Sequence, residues 1–259
     1  MDLGIAGKNA IVCASSRGLG RACAVSLARA GAHVTLNGRN DEKLKEAHDL
    51  CLAAGARGVN IVNADVSTAE GQDALLNACP DCDILINNNG GPPLRDFREL
   101  DRDAILAGVE QNMVTPIELI QRVLPGMQAR KFGRILNITS SSVKSPILGL
   151  DLSSGARAGL TAFVAGPARA VAGDNITINC ILPGMFDTDR LKGSMVAQAK
   201  MQNVSEEEMA EIRAKSVPAK RFGSPEEFGD LAAFLCSAQA GYITGQSILI
   251  DGGMFNASI

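Results

Sequence analysis

Short apolar runs rich in β-branched residues alternate along this chain with longer stretches whose apolar positions recur every three to four residues. The runs are Asn9–Cys13, His33–Leu36, Val59–Val62, Asp83–Ile86, Arg134–Ile138, Ile176–Ile181 and Ser247–Ile250. Helical spacing predicts helices over Leu19–Ala30, Asp41–Ala54 with Asp41 as its N-cap, Thr68–Ala78, one long stretch Arg102–Arg130, Ser153–Ala172 and Pro225–Ser237. Short apolar strands joined by helices predict a parallel sheet covered on both faces. The expected fold class is therefore α/β, a doubly wound parallel sheet of Rossmann type whose ligand crevice lies at the C-terminal strand ends. No Pro/Gly/Ser-rich linker or shift of composition divides the chain, so residues 1–259 are read as one domain.

Composition narrows the function classes. With 46% hydrophobic residues among 259, the chain buries a substantial core. A formal net charge of −3 leaves no basic footprint for nucleic acid. The start carries no signal-peptide pattern and no apolar run is long enough to span a membrane, so a cytoplasmic protein is expected. Seven cysteines, an odd number spread through apolar segments, fit reduced thiols. The Cys79-Pro80-Asp81-Cys82 spacing precedes an apolar strand rather than opening a helix, which makes both thiols packing residues. Two histidines and no Cys/His cluster argue against a metal site.

The first strand runs into Ala14-Ser15-Ser16-Arg17-Gly18-Leu19-Gly20. Glycines between a strand and a helix let backbone N–H groups approach a pyrophosphate, so Ser15, Ser16, Arg17, Gly18, Leu19 and Gly20 are candidate cofactor contacts. The loop resembles the Thr-Gly-x-x-x-Gly-x-Gly signature of the short-chain dehydrogenase/reductase family, and the resemblance covers almost the whole chain. Ala14 departs from it, adding a methyl where the backbone turns, which is expected to loosen cofactor binding without excluding it. Asn87-Asn88-Asn89-Gly90 is similar to the family's Asn-Asn-Ala-Gly segment, implying adenosine-side roles for Asn88, Asn89 and Gly90. By the same resemblance Asp65 and Val66 meet the adenine, while Pro183, Gly184 and Thr188 stand beside the nicotinamide. Tyr242–Gln246 and Asp251-Gly252-Gly253 resemble the C-terminal signature. Family members that prefer NAD place a carboxylate at the end of the second strand. Here that end reads Leu36-Asn37-Gly38-Arg39, and Arg39 with Arg17 is suited to straddle a 2′-phosphate, so NADP(H) is expected over NAD(H).

In the family a serine polarises the carbonyl, a tyrosine donates the proton, a lysine lowers the tyrosine pKa and holds the ribose, and an asparagine carries a water relay. The resemblance implies Ser140 as that serine, with Ser141 the second choice, and Asn112 as the asparagine. Ser153 and Arg157 stand where the tyrosine and lysine belong. Ser153 reaches less far and lacks a phenol; Arg157 can hold ribose hydroxyls but is expected to stay protonated and relay nothing. Loss of a positioned acid costs ~10²–10⁴ in rate. Lys144, beyond Ser140 on the loop that borders the pocket, is a candidate replacement acid if desolvated and otherwise a solvated loop lysine. Tyr242, the single tyrosine, is by the same resemblance expected in a segment that precedes the last strand and serves packing. Residues 185–218 are expected to form a substrate lid with Met185, Phe186, Met195, Met201 and Met209 as pocket or packing residues, and with Ser205 and Glu208 as a capping box.

The expected activity is that of an NADP(H)-dependent oxidoreductase interconverting a small-molecule ketone and an alcohol with a divergent proton donor. Within the family the chain is most similar to 3-oxoacyl-acyl-carrier-protein reductase relatives. Ser153 and Arg157 also fit a second reading, a catalytically silent nucleotide-binding sensor or oligomeric partner. The resemblance implies a homo-oligomer, a tetramer or dimer, built through the long helices, where Gly155, Ala156, Ala158 and Gly159 suit close contact.

Overall fold

The computed structural model describes residues 2–92 and 94–257. Its centre is one sheet in which β1 (Asn9–Val12) lies between β2 (His33–Gly38) and β4 (Ile84–Asn87). β3 (Gly58–Asn63) extends it beyond β2, while β5 (Gly133–Ile138), β6 (Ile176–Pro183) and β7 (Ser247–Ile250) continue beyond β4. Every pairing is parallel. Strand order therefore reverses between β1 and β4, which opens a crevice at their C-terminal ends.

Period-two alternation in the strands divides the core. Ala10 and Val12 face a layer formed with α1 (Gly18–Arg29), α2 (Asp41–Ala54) and α9 (Pro225–Leu235). Ile11 and Cys13 face the opposite layer, with α3 (Ala69–Ala78), α5 (Thr115–Arg130) and α6 (Asp151–Val171). All seven cysteines are buried and unpaired, Cys79 and Cys82 among them.

Several boundaries differ from those the periodicity predicts. Asn40, not Asp41, caps α2, its side chain accepting from the Lys43 N–H at 2.9 Å. The stretch read as one helix is two: α4 (Arg102–Val109) passes through a π-helical turn, Glu110–Val114, into α5. Pro116 supplies the cause, because it lacks the N–H that would bond the Asn112 carbonyl in a regular ladder. Residues 185–218, expected as a lid, hold α7 (Asp189–Gln202) and α8 (Glu206–Ser216). Of the expected Ser205/Glu208 capping box only one half forms, Ser205 accepting from the Glu208 N–H at 3.0 Å without the return bond from the Glu208 side chain. Met195 and Met209 are buried in the lid's own small core with Ala199, Met201 is exposed, and Phe186 packs edge-on against Phe228 of α9. Met195 and Met209 thus pack residues 185–218 on themselves, whereas Phe186 joins the main core. Among the described residues no helix is long and apolar enough to cross a membrane, and no cluster of metal-ligating side chains occurs.

Candidate active site

The turn after β1 is held open by side chains from neighbouring strands. Asn37, buried near the end of β2, accepts from the Ala14 N–H at 3.3 Å and donates to the Val62 and Ala64 carbonyls. Asn88 donates to the Ala14 carbonyl at 3.2 Å. The peptides on both sides of Ala14 are thus pinned, and Ala14 sits at φ 45°, in left-handed space. The buried Ser15 hydroxyl turns inward to the Val12 carbonyl at 2.7 Å, so Ser15 builds the turn with its side chain. Gly20 is obligatory: a Cβ there would lie 2.4 Å from the Ala14 oxygen and 2.8 Å from Asn88 Nδ2. At Gly90 a Cβ would meet nothing within 4 Å, so this backbone faces an open crevice beside the glycine turn. A dinucleotide fits such a cradle, with backbone N–H groups at the α1 N-terminus aimed at its phosphates.

The residues expected at the adenosine form a polar cluster of their own. Arg39 donates to Asp65 at 3.1 Å, and both side chains remain exposed. Asp65 also accepts from the Ser67 hydroxyl and N–H; these bonds, then Arg39, hold its carboxyl below its ordinary pKa. Val66 is buried beneath them. Arg17 is exposed and lies 4.0 Å from Asp189, which links the glycine turn to the first turn of α7. Pro183 ends β6, the Gly184 N–H donates to the Ile250 carbonyl, and Thr188 caps α7 at the Leu191 N–H.

At the C-terminal end of β5 the Ser140 hydroxyl oxygen accepts from the Ser142 N–H at 3.1 Å and from the buried Ser142 hydroxyl at 2.8 Å. Its own proton is left to donate outward. Ser141 follows in a short 3-10 turn capped by Ser140. Ser153, buried in the first turn of α6, accepts from Arg157 Nε at 3.2 Å. Arg157 is buried too and donates further to the Ile138 carbonyl at 2.5 Å and the Asn89 carbonyl at 3.4 Å. Burial, with the neighbouring Arg190 guanidinium adding to it, pushes its pKa down to about 10. That value still leaves it charged at neutral pH.

Asn112 projects inward from the π turn, donating to the Gly108 carbonyl at 3.2 Å while its buried Oδ1 has no partner. It lines a cavity of about 20 Å³ together with Asn89, Gln111 and Arg157. That volume holds about one water, and the orphaned oxygen is the polar group such a water satisfies. Lys144 is exposed, its ammonium 5.3 Å above the Phe255 ring rather than buried beside the serines. Tyr242 is fully exposed, not packed.

Two groups of residues escape sequence reasoning. One is a lateral chain of buried asparagines: Asn87 donates to Asn137 at 2.9 Å, Asn137 to the Asn179 carbonyl at 3.3 Å, and Asn179 to the Ile243 carbonyl at 2.8 Å. The signal was an asparagine, a poor strand former, within or directly after the apolar runs that became β4, β5 and β6. The other is Arg190 at the start of α7, whose guanidinium donates to the Gly91 and Pro92 carbonyls at 3.3 Å each.

Comparison with known proteins names this arrangement. A family model described as enoyl-(acyl carrier protein) reductase matches residues 13–255. A protein of Oryctolagus cuniculus named dehydrogenase/reductase SDR family member 4 is 30% identical over 96% of this chain and 94% of its own. The chain is a short-chain dehydrogenase/reductase. Among its relatives in that family, the NADPH-dependent reductase BacG of Bacillus subtilis is 33% identical, covering 95% of this chain and 97% of the relative. The 3-oxoacyl-[acyl-carrier-protein] reductase FabG of Aquifex aeolicus is also 33% identical, over 98% and 100%. The crystal structure of L-sorbose reductase from Gluconobacter frateurii, complexed with NADPH and L-sorbose, superposes with a TM-score of 0.93 at 33% identity, covering 99% of this chain and 100% of the other.

Proposed function

We propose that this short-chain dehydrogenase/reductase is an NADP(H)-dependent oxidoreductase interconverting a ketone and an alcohol, in which hydroxyl groups hold the developing oxyanion and no tyrosine protonates it. The observation that carries this reading is the bond from the buried Arg157 Nε to Ser153 Oγ. Because Ser153 accepts from a cation, its own proton points away from Arg157 and is polarised. Ser140, backed by Ser142, is arranged in the same way. Two hydroxyl donors, one with a buried positive charge behind it, make an oxyanion site, and donors of this kind contribute ~10²–10³ in rate each. The missing acid costs ~10²–10⁴, so turnover is slow and the alkoxide takes its proton from water.

Ser16, Arg17, Gly18, Leu19 and Gly20 would hold the cofactor phosphates on backbone N–H groups, with Arg39 and Arg17 at the 2′-phosphate. Asn88, Asn89, Gly90 and Asp65 would line the adenosine side, and Pro183, Gly184 and Thr188 the nicotinamide side. When bound, that cofactor supplies or accepts the hydride. Arg157 reaches ribose hydroxyls with the N–H groups it has left over. The exposed, solvated position of Lys144 argues against its serving as the acid. Relatives named for 3-oxoacyl carriers support a 3-oxo substrate as one class to try. Exposed Ile105 and Leu106 on α4 and Phe163 on α6 support a homo-oligomer, dimer or tetramer, packed through these helices. Seven unpaired thiols suit a reducing, cytoplasmic setting.

Titration with NADPH followed by a ketone screen, read by loss of NADPH absorbance, tests this function. Binding with turnover that falls ~10²-fold in Ser140→Ala is the expected result. Tight binding without turnover on any ketone replaces it with the second reading, a silent nucleotide sensor, and absence of binding defeats both.

A further inference from the structure

Arg157 and Arg190 hang on the same short loop after β4, the first from the Asn89 carbonyl and the second from the carbonyls of Gly91 and Pro92. Each guanidinium bonds only neutral atoms, and neither has an ion-pair partner among the described residues. The two sit close enough that Arg190 makes Arg157 harder to keep protonated. The carboxylates nearest in sequence to Arg190 are engaged elsewhere: Asp189 faces Arg17 at 4.0 Å and Asp187 binds Lys192 at 3.1 Å. Arg190 also occupies the first turn of the 14-residue helix α7, where the helix dipole already places partial positive charge. A buried cation beside a second cation and a helix N-terminus is costly unless an anion joins them. Arg157 is the buried member of the pair and bonds Ser153, while Arg190 is exposed at the outer end of the same loop, so the pair runs from the site's hydroxyl to solvent.

We propose that Arg190, with Arg157, binds a carboxylate carried by the substrate, so that the preferred substrates are oxo acids rather than neutral ketones. The assignment rests on the reductase reading of the same crevice and makes Arg190 a specificity residue. A paired guanidinium–carboxylate contact supplies both charge and a fixed orientation. The same anionic-oxygen chemistry would also be offered by a cofactor phosphate, so the test separates the two.

Calorimetric titration of the protein–NADP⁺ complex with acetoacetate and with levulinate, each beside its methyl ester, reads affinity without requiring turnover. At least one acid is expected to bind ~10-fold or more tightly than its ester, about 1.4 kcal/mol. Arg190→Met is expected to bring that ratio close to one, and Arg190→Lys to restore part of it. Absence of binding by both acids, or equal binding of acid and ester, overturns the proposal. So does an unchanged ratio in Arg190→Met accompanied by weaker NADPH binding, which assigns the charges to the cofactor phosphates. If Arg190→Met does not fold, the ratio in the unaltered protein decides alone. An acid that binds preferentially but is never reduced leaves the carboxylate site standing and removes the reductase reading.

Discussion

Ala14 carries a cost that its neighbours impose. A left-handed backbone costs an L-residue with a side chain ~1–2 kcal/mol, and both Asn37 and Asn88 hold this peptide there. Ala14→Gly removes the clash but gives back unfolded-state entropy worth ~0.4–1 kcal/mol. The net expectation is a gain of about 1 kcal/mol, seen as a rise in Tm of ~2–4 °C. A fall in Tm would mean that the turn is not strained. The sequence marks Ala14 as a replaced glycine, but the strain depends on Asn37, whose role is invisible until β2 is seen to run on to Gly38. In the same way Arg39 and Asp65 are each expected at the cofactor from sequence, whereas their pairing with one another needs the register of β2 against β3.

At the scale of elements, the first turns of α6 and the π turn before α5 meet around Arg157 and Asn112. Ser153 and Arg157 lie one turn apart on α6, at the positions where the family resemblance expects a tyrosine and a lysine. Restoring them in Ser153→Tyr/Arg157→Lys returns a phenol with a pKa near ~10 to the site. Steady-state kinetics on a ketone accepted by the parent protein should show kcat raised by ~10²-fold. An unchanged or lower kcat would show that the Ser153–Arg157 pair is the working arrangement and no mere loss. The replaced frame was legible because it is local, four residues on one helix face. The π turn was not, since apolar periodicity runs through it and only Pro116 marks the break. The helices of residues 185–218 were half legible: Ser205 announced α8, but α7 has too weak an apolar stripe to be seen before its small core of Met195, Ala199 and Met209 is assembled.

Across the whole molecule, the alternation of runs and helices was enough to read the parallel sheet, because the strands are short and each is joined to the next through a crossover. What ties its layers together was not readable. Arg134 opens β5, is 1% exposed, and donates to the carbonyls of Ser237, Gly133 and Asn175 at 2.8–2.9 Å while stacking 4.5 Å from Phe132. It fastens the segment after α9 to the β5 and β6 edges. Arg134→Met removes these charged bonds, each worth ~1.5–3 kcal/mol, although the Asn175 carbonyl keeps the Gly133 N–H as a donor. Urea unfolding should show a loss of about 3 kcal/mol or more, and a loss below ~1 kcal/mol would deny the staple.

The seven thiols buried on both sides of the sheet have a use beyond packing. Burial desolvates most of them and pushes the Cys13, Cys51 and Cys236 thiols up to about 12, which suppresses the reactive thiolate wherever the fold is closed. Because these thiols are shared between the two core layers, alkylation becomes an internal clock. The rate at which each cysteine is labelled records how often its own layer opens, and the difference between the layers shows whether the two halves of the core unfold together.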